Sequence, residues 1–330
     1  MMKIAVFGGG AWGTALANLW ADTPGGAILW ARDAETVTAI NETRENPRRL
    51  PGHALSEHLR ATTILKEGFA EADIAVLALP AQFLGAFAQK AKPHVPAGIP
   101  LVLCAKGIEQ STGRFPSEIV SDAWPGHTVM ALSGPSFAAD LARGLPTAVT
   151  FAGEDTEVLQ QWHPVLARHH FRLYTTDDLT GVEIGGALKN VFAIACGISD
   201  GLGLGASARA ALIARGFAEL RRFADAHDAR TDTLTGLSGL GDLVLTCSSR
   251  QSRNMSLGLA IGSGKTVDEA LEASRGVTEG AATAPIVVKM AKKKAIDIPI
   301  METVMHVLAG DLSARDAITR LLSRPLRSEN

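Results

Sequence analysis

In the first half of the chain, short apolar runs alternate with polar or small-residue breaks and helix-like segments. The runs cover residues 4–7, 27–30, 74–79, 101–105, 128–132, 148–152 and 171–175. Each is short and apolar on both faces, the pattern of strands in a parallel sheet covered by helices. Strands alternating with helices predict a doubly wound α/β domain. From about residue 180 the alternation stops. Segments 182–198, 206–226, 254–261, 267–273, 281–293 and 300–309 are rich in Ala, Leu and Met, with few β-branched alternating runs, and predict helices. The change near 177–181 divides the chain into residues 1–180 and an all-α remainder, 181–330.

A length of 330 residues suits two domains of this kind, each with its own core. Apolar residues make up 46 % and charged residues 20 %, which separates the chain from disordered sequences. A formal charge of −2 leaves no broad positive field for nucleic acid or an anionic membrane, so any bound anion must be held locally. Lys3, the apolar run at 4–7 and Ala15-Leu16-Ala17 resemble a signal peptide, but three glycines and Trp12 interrupt the apolar stretch. No uninterrupted apolar run of about 18 residues occurs, so no membrane insertion is expected. Cys104, Cys196 and Cys247 are widely spaced, and the histidines form no ligand pattern. Neither a disulfide framework nor a metal site is expected, and a reduced, cytoplasmic setting fits.

The 33 glycines cluster between apolar runs, where they mark backbone requirements. Gly8-Gly9-Gly10-Ala11-Trp12-Gly13 follows the first strand and opens a helix at 14–20, so G-x-G-x-x-G stands in the context of a Rossmann-type dinucleotide fingerprint. Gly8 permits the tight turn, Gly10 lets the backbone approach a pyrophosphate, and Gly13 lets helix and strand pack closely. Free N–H groups at the helix start meet the negative charge. The strand at 27–30 leads to Arg32-Asp33, where the adenosine ribose is read. Arg32 suits a 2′-phosphate and favours NADP, whereas Asp33 could accept hydrogen bonds from the 2′-hydroxyl of NAD.

Ligands of an open α/β sheet bind beyond the carboxyl ends of its strands. Lys106 follows the run at 101–105. Ser133-Gly134-Pro135-Ser136-Phe137-Ala138 follows the run at 128–132, and its small residues admit a ligand. Lys189 is the only charged residue from 185 to 198, on a helix apolar nearly all round. Burial raises the cost of its charge unless it finds a partner, and a lysine with a lowered pKa can exchange a proton near neutral pH. Asn190 enters the same protected setting. Asp242 is the single acid of an uncharged glycine-rich stretch. Arg250, Ser252, Arg253 and Asn254 precede a helix and suggest a second anion site. Lys292-Lys293-Lys294 reads as a solvated helix face.

Taken in order, GGGAWGTALA (8–17), AKGIE (105–109), SGPSFA (133–138), GGALKN (185–190), SGLGD (238–242), SRN (252–254) and VTEG (277–280) resemble the bacterial-type NAD(P)-dependent glycerol-3-phosphate dehydrogenase family over essentially the whole chain. The resemblance implies reversible reduction of dihydroxyacetone phosphate to sn-glycerol 3-phosphate for glycerophospholipid synthesis, with NADP or NAD, no metal, and a homodimer. It makes Lys189 the proton-exchanging residue. Lys106 would touch cofactor and substrate, Gly134 and Ser136 would border the substrate, and Ala138 would lie near the cofactor. Asp242 would bind a substrate hydroxyl or hold Lys189. Asn190, Ser252, Arg253 and Asn254 would hold the substrate, with Arg253, Val277 and Glu279 also near the cofactor, and Trp12 would join the phosphate turn. Asp33 stands where a basic residue or histidine is common, and Arg49 where an aromatic is frequent, so Arg49 is given no contact. Two other readings are a related dehydrogenase of a β-hydroxy or pantoate-like acid, and a dinucleotide-binding sensor without turnover.

Overall fold

A computed structural model describes residues 2–274 and 276–325. The chain forms two compact units: Met1–Lys106 with Arg114–Glu183, and Gly107–Gly113 with Ile184–Asn330.

The first unit carries eight strands: β1 Ile4–Phe7, β2 Ala27–Trp30, β3 Arg60–Thr62, β4 Ile74–Leu77, β5 Leu101–Leu103, β6 Val129–Ser133, β7 Thr147–Gly153 and β8 Phe171–Thr176. They form one sheet in the order β3-β2-β1-β4-β5-β6-β7-β8. Its helices are α1 Ala11–Ala21, α2 Ala34–Thr43, α3 Leu65–Phe69, α4 Ala81–Ala91, α5 Pro116–Ala123, α6 Ala138–Ala142 and α7 Thr156–Leu166. Side chains alternate across each strand; in β1, β4 and β5 both sets are buried, whereas β8, expected to be apolar on both faces, exposes Arg172 and Tyr174 on one side. Ile4 and Val6 pack with Leu16 and Trp20 of α1, Ile40 of α2 and Trp162 of α7. Ala5 and Phe7 face the other layer, with Phe69 of α3, Leu84 and Phe87 of α4 and Val120 of α5. Phe7 stacks on Phe69 at 4.1 Å between ring centres. The Trp20 indole donates to the Leu166 carbonyl (2.9 Å), which satisfies its buried N–H.

Two strand expectations need correction. β7 runs antiparallel to β6, with Met130 opposite Gly153, whereas parallel strands were expected. The connection, residues 134–146, holds only the five residues of α6 as helix, whereas a parallel crossover takes a dozen or more residues and usually a full helix to cover the sheet. An antiparallel return needs no such crossover, and β7 comes back beside β6. β3, with an exposed Arg60 and only three residues, has no apolar run to betray it.

The 23-residue helix α8, Leu179–Gly201, begins in the first unit and continues in the second. It is long and apolar enough to span a membrane, but its apolar window is wholly buried within the protein. Near its start, Glu183 accepts hydrogen bonds from Ser117 N (2.8 Å) and Ser117 Oγ (2.5 Å) at the first turn of α5. Burial pushes the Glu183 carboxyl up to about 7, against the lowering effect of those bonds.

Helices α9 Gly205–Asp225, α10 Thr231–Thr235, α11 Asp242–Ser248, α12 Arg253–Gly262, α13 Val267–Glu272, α14 Glu279–Lys293, α15 Pro299–Leu308 and α16 Ala314–Leu322 follow. No strand occurs among the described residues of this second unit. Buried Glu219 of α9 accepts from Ile300 N (2.6 Å) and Met301 N (3.2 Å), meeting donors that the first turn of α15 leaves open. Burial raises its carboxyl to about 8, with the two N–H donors pulling the other way.

Candidate active site

In the first unit, the phosphate turn fits a dinucleotide on two observations. Gly10 caps α1 without any side-chain cap, so the first helical N–H groups are directed outward with no capping acceptor. A Cβ built on Gly10 would meet nothing within 4 Å, so open space lies above those donors. Gly8 and Gly13 are required by contact: Gly8 has φ +130°, and a Cβ on Gly13 would lie 2.0 Å from the Gly8 carbonyl. The helix begins at Ala11 rather than Thr14, which puts Ala11 and Trp12 in its first turn. Trp12 packs against Phe171 at 6.4 Å between ring centres, and its N–H lies beside the Cys104 thiol. Burial drives that thiol up to about 12, so Cys104 is an inert wall of the turn.

Gly8 N donates to the Trp30 carbonyl (2.9 Å), tying the turn to the end of β2. Just beyond, Arg32 is exposed and Asp33 stands at the N-cap position of α2 without a side-chain cap bond. One oxygen of Asp33 accepts from Thr36 Oγ1 (2.7 Å) and Arg48 Nη1 (3.1 Å). The Thr36 hydroxyl, ahead of the Arg48 charge, holds that carboxyl below its ordinary range. Past the carboxyl end of β5, Lys106 Nζ donates to the Gly134 carbonyl (3.0 Å), which also accepts from Ser136 Oγ (3.1 Å). Two of the residues singled out in the sequence, Lys106 and Ser136, therefore converge on the carbonyl of a third, Gly134. Ala138 begins α6 and is half-buried against the core.

In the second unit, Lys189 Nζ donates to Asp242 Oδ1 at 2.5 Å, with side chains only 7 % and 1 % exposed. Thr246 completes the cluster. Its hydroxyl accepts from Lys189 Nζ (2.8 Å) and lies 3.2 Å from Asp242 Oδ1. Of the two roles open to Asp242, holding Lys189 is the one seen here. A buried ammonium is tolerable with a carboxylate and a hydroxyl on it, whereas alone it would cost several kcal/mol (order of magnitude). Local backbone explains the placement. Residues Leu237–Gly241 form one wide π-turn, closed by Gly241 N to the Gly236 carbonyl (3.1 Å), and α11 follows directly. Asp242 and Thr246, four apart on α11, share a face. A Cβ on Gly185 would meet the Ser238 carbonyl at 2.7 Å, so glycine lets the turn close on α8.

On the residue after Lys189 in α8, Asn190 Oδ1 accepts from Asn254 Nδ2 (2.9 Å), while Asn254 Oδ1 accepts from Gly280 N (3.0 Å). Asn254 is thus engaged within the protein on both ends of its amide. Ser252 caps α12 by accepting from Met255 N (3.2 Å), and Arg253, the first residue of that helix, is exposed. Val277 and Glu279 are half-buried, and Glu279 opens α14 beside Gly280. No group of three or more potential metal ligands occurs among the described residues.

Thr246, Asn46 and Arg48 were not anticipated. A helix over 242–248 would have exposed Thr246 through its four-residue spacing from Asp242. Asn46 and Arg48 lie in a segment without periodicity, and nothing in the sequence marks them.

The pattern of the NAD-dependent glycerol-3-phosphate dehydrogenase N-terminus matches residues 3–159, and that of its C-terminus matches residues 178–319. A Brucella canis protein named glycerol-3-phosphate dehydrogenase (NAD(P)+) is 52 % identical over 328 residues, 99 % of each chain. One of the same name from Parvibaculum lavamentivorans is 51 % identical over 327 residues, covering 99 % of this chain and 98 % of its own. The crystal structure of glycerol-3-phosphate dehydrogenase from Coxiella burnetii superposes with TM-score 0.94 at 37 % identity, covering 98 % of this chain and 99 % of that one. The chain belongs to the NAD-dependent glycerol-3-phosphate dehydrogenase family.

Proposed function

We propose that the protein catalyses the reversible NAD(P)-dependent reduction of dihydroxyacetone phosphate to sn-glycerol 3-phosphate, supplying the backbone for glycerophospholipids. Residues 1–180 bind the dinucleotide and residues 181–330 bind substrate and donate the proton. The observation that carries this reading is the buried Lys189–Asp242–Thr246 cluster, which nucleotide binding alone does not need. A sensor without turnover would have no use for it. The nicotinamide dinucleotide held at the Gly8–Gly13 turn would supply, when bound, the hydride that reduces C2. Lys189 Nζ delivers a proton to the oxygen on C2 as negative charge develops there, and Asp242 and Thr246 fix the ammonium in place. Lys106 stabilises the same oxygen electrostatically. Arg253, with Ser252, Asn190 and Asn254 around it, holds the substrate phosphate and so orients C2. Gly134 and Ser136 border the substrate. Gly8, Gly10, Ala11, Trp12 and Gly13 hold the pyrophosphate, Arg32 and Asp33 lie at the ribose, and Ala138, Val277 and Glu279 lie beside the cofactor. NADP is the favoured dinucleotide. A cytoplasmic homodimer fits the family, and the three buried, unpaired cysteines are consistent with a reducing compartment.

The test follows NADPH absorbance with dihydroxyacetone phosphate. Lys189→Ala is expected to lower kcat by about 10²–10⁴-fold with NADPH still bound. Activity within a few-fold of the unaltered enzyme would rule out Lys189 as proton donor. Equal turnover of an unphosphorylated ketone would rule out the phosphate reading, and a preference for a β-keto acid would favour the related dehydrogenase.

A further inference from the structure

The segment joining α2 to β3 is latched to the phosphate turn. Asn46 is fully buried, and its Nδ2 donates to the Gly9 carbonyl (3.1 Å) and to Thr14 Oγ1 (2.8 Å). Its Oδ1 accepts from Arg49 N (3.2 Å), and its carbonyl accepts from Leu50 N (2.8 Å), closing a tight turn over 46–50. The next residue but one after Asn46 is Arg48. The latch sets its guanidinium against Asp33 Oδ2 (3.1 Å), with Glu35 Oε2 at 3.5 Å. Since Thr36 Oγ1 bonds the same Asp33 oxygen, that oxygen is already doubly occupied. That oxygen is a poor further acceptor for a ribose 2′-hydroxyl. Its charge is also compensated, so it repels a 2′-phosphate less than a bare carboxylate would. Arg32, adjacent in the chain, has an exposed side chain without an ion pair or hydrogen bond to the described residues.

We infer that Arg48 is a specificity-determining residue, which with Arg32 grips the 2′-phosphate of NADP at the end of β2. The inference rests on the reading that the dinucleotide lies at the Gly8–Gly13 turn. The Arg48 and Asp33 side chains are 59 % and 43 % exposed, and ion pairs so exposed contribute little. Arg48 can therefore turn from one carboxylate oxygen to a dianionic phosphate at small cost, and its planar fork suits bidentate contact with phosphate oxygens. Asn46 keeps the segment beside the phosphate turn. Asp33 then acts as a placeholder that orients Arg48.

The experiment compares 2′,5′-ADP with 5′-AMP by calorimetry, and NADPH with NADH by kcat/KM, in the unaltered protein, Arg48→Ala, Arg48→Lys and Asp33→Asn at one ionic strength. Losing a charge-assisted phosphate contact predicts that Arg48→Ala lowers the NADPH-to-NADH ratio of kcat/KM by about 10–100-fold. The affinity ratio of 2′,5′-ADP to 5′-AMP is expected to fall alongside it. Lysine should restore part of both ratios, and Asp33→Asn should raise both. An unchanged ratio in Arg48→Ala overturns the role of Arg48 even if both nucleotides bind. Failure of the unaltered protein to bind any of the four overturns the dinucleotide reading and the inference with it.

Discussion

Replacing Asp242 by Asn removes a charge and almost no volume from a buried polar cluster of the second unit. Lys189 keeps its contact with Thr246 but loses a carboxylate at 2.5 Å, with its own side chain 7 % exposed. Two unit charges about 4 Å apart interact by roughly 4 kcal/mol at an effective dielectric constant of 20. Breaking one side of a buried pair costs about 3–5 kcal/mol in proteins generally, so the two scales agree. A second route limits the loss, because the lysine can give up its proton. From an ordinary lysine value near 10.4, neutralisation costs about 1.36 kcal/mol per pH unit, roughly 4.6 kcal/mol at pH 7 and about 1.9 at pH 9. The expected outcome is therefore a stability loss of about 3–5 kcal/mol at pH 7 that shrinks to about 2 kcal/mol or less at pH 9. Urea unfolding at both pH values, referred each time to the unaltered protein, measures it. In a Lys189→Met background the same substitution should cost far less, since no ammonium is left to strand. A loss below about 1 kcal/mol at pH 7, or one that does not shrink as pH rises, would refute a charged Lys189 held by Asp242.

Thr246→Val keeps the shape of its site but strips one acceptor from the ammonium, and a loss of about 1.5–3 kcal/mol in stability is expected by urea unfolding. Glu219 gives a pH signature of its own. Its folded value of about 8 lies above the ordinary 4.5, so its contribution is full below about pH 4.5 and is lost as pH rises through 8. Glu219→Gln should flatten the fall in stability across that window, and an unaltered slope would dismiss Glu219 as its source. Gly13→Ala drives a Cβ into the Gly8 carbonyl, so dinucleotide titration should show severe loss of binding, together with a stability loss of about 1–3 kcal/mol.

Lys189 was legible because one ammonium in an apolar helix cannot be satisfied by its own neighbours in sequence. Its need for a partner pointed beyond the local chain, and Asp242 answers it. The strands with both faces buried were legible for a related reason: their runs have no polar side to interrupt them. β3 failed that test by being short and starting at an exposed arginine. The direction of β7 depends on the connection before it, which holds only the short α6, and no apolar pattern records a strand's direction. Thr246 was hidden by the π-turn, since the stretch from Leu237 obeys neither a strand period nor a regular helical one. Arg48 owes its position to the side-chain bonds of Asn46, a contact made 32 residues away on Thr14 and therefore invisible to any local reading.

The wide turn at Leu237–Gly241 also sets the rotational phase of everything after it. Each residue of an α-helix turns the chain by about 100°. Removing one residue from this segment would leave α11 its composition and its amphipathic stripe, yet swing Asp242 and Thr246 about a quarter-turn or more around the axis from Lys189. The cluster then depends on the number of residues in the turn more than on most of their side chains. Outside its glycines, the segment has freedom to change letters and almost none to change length.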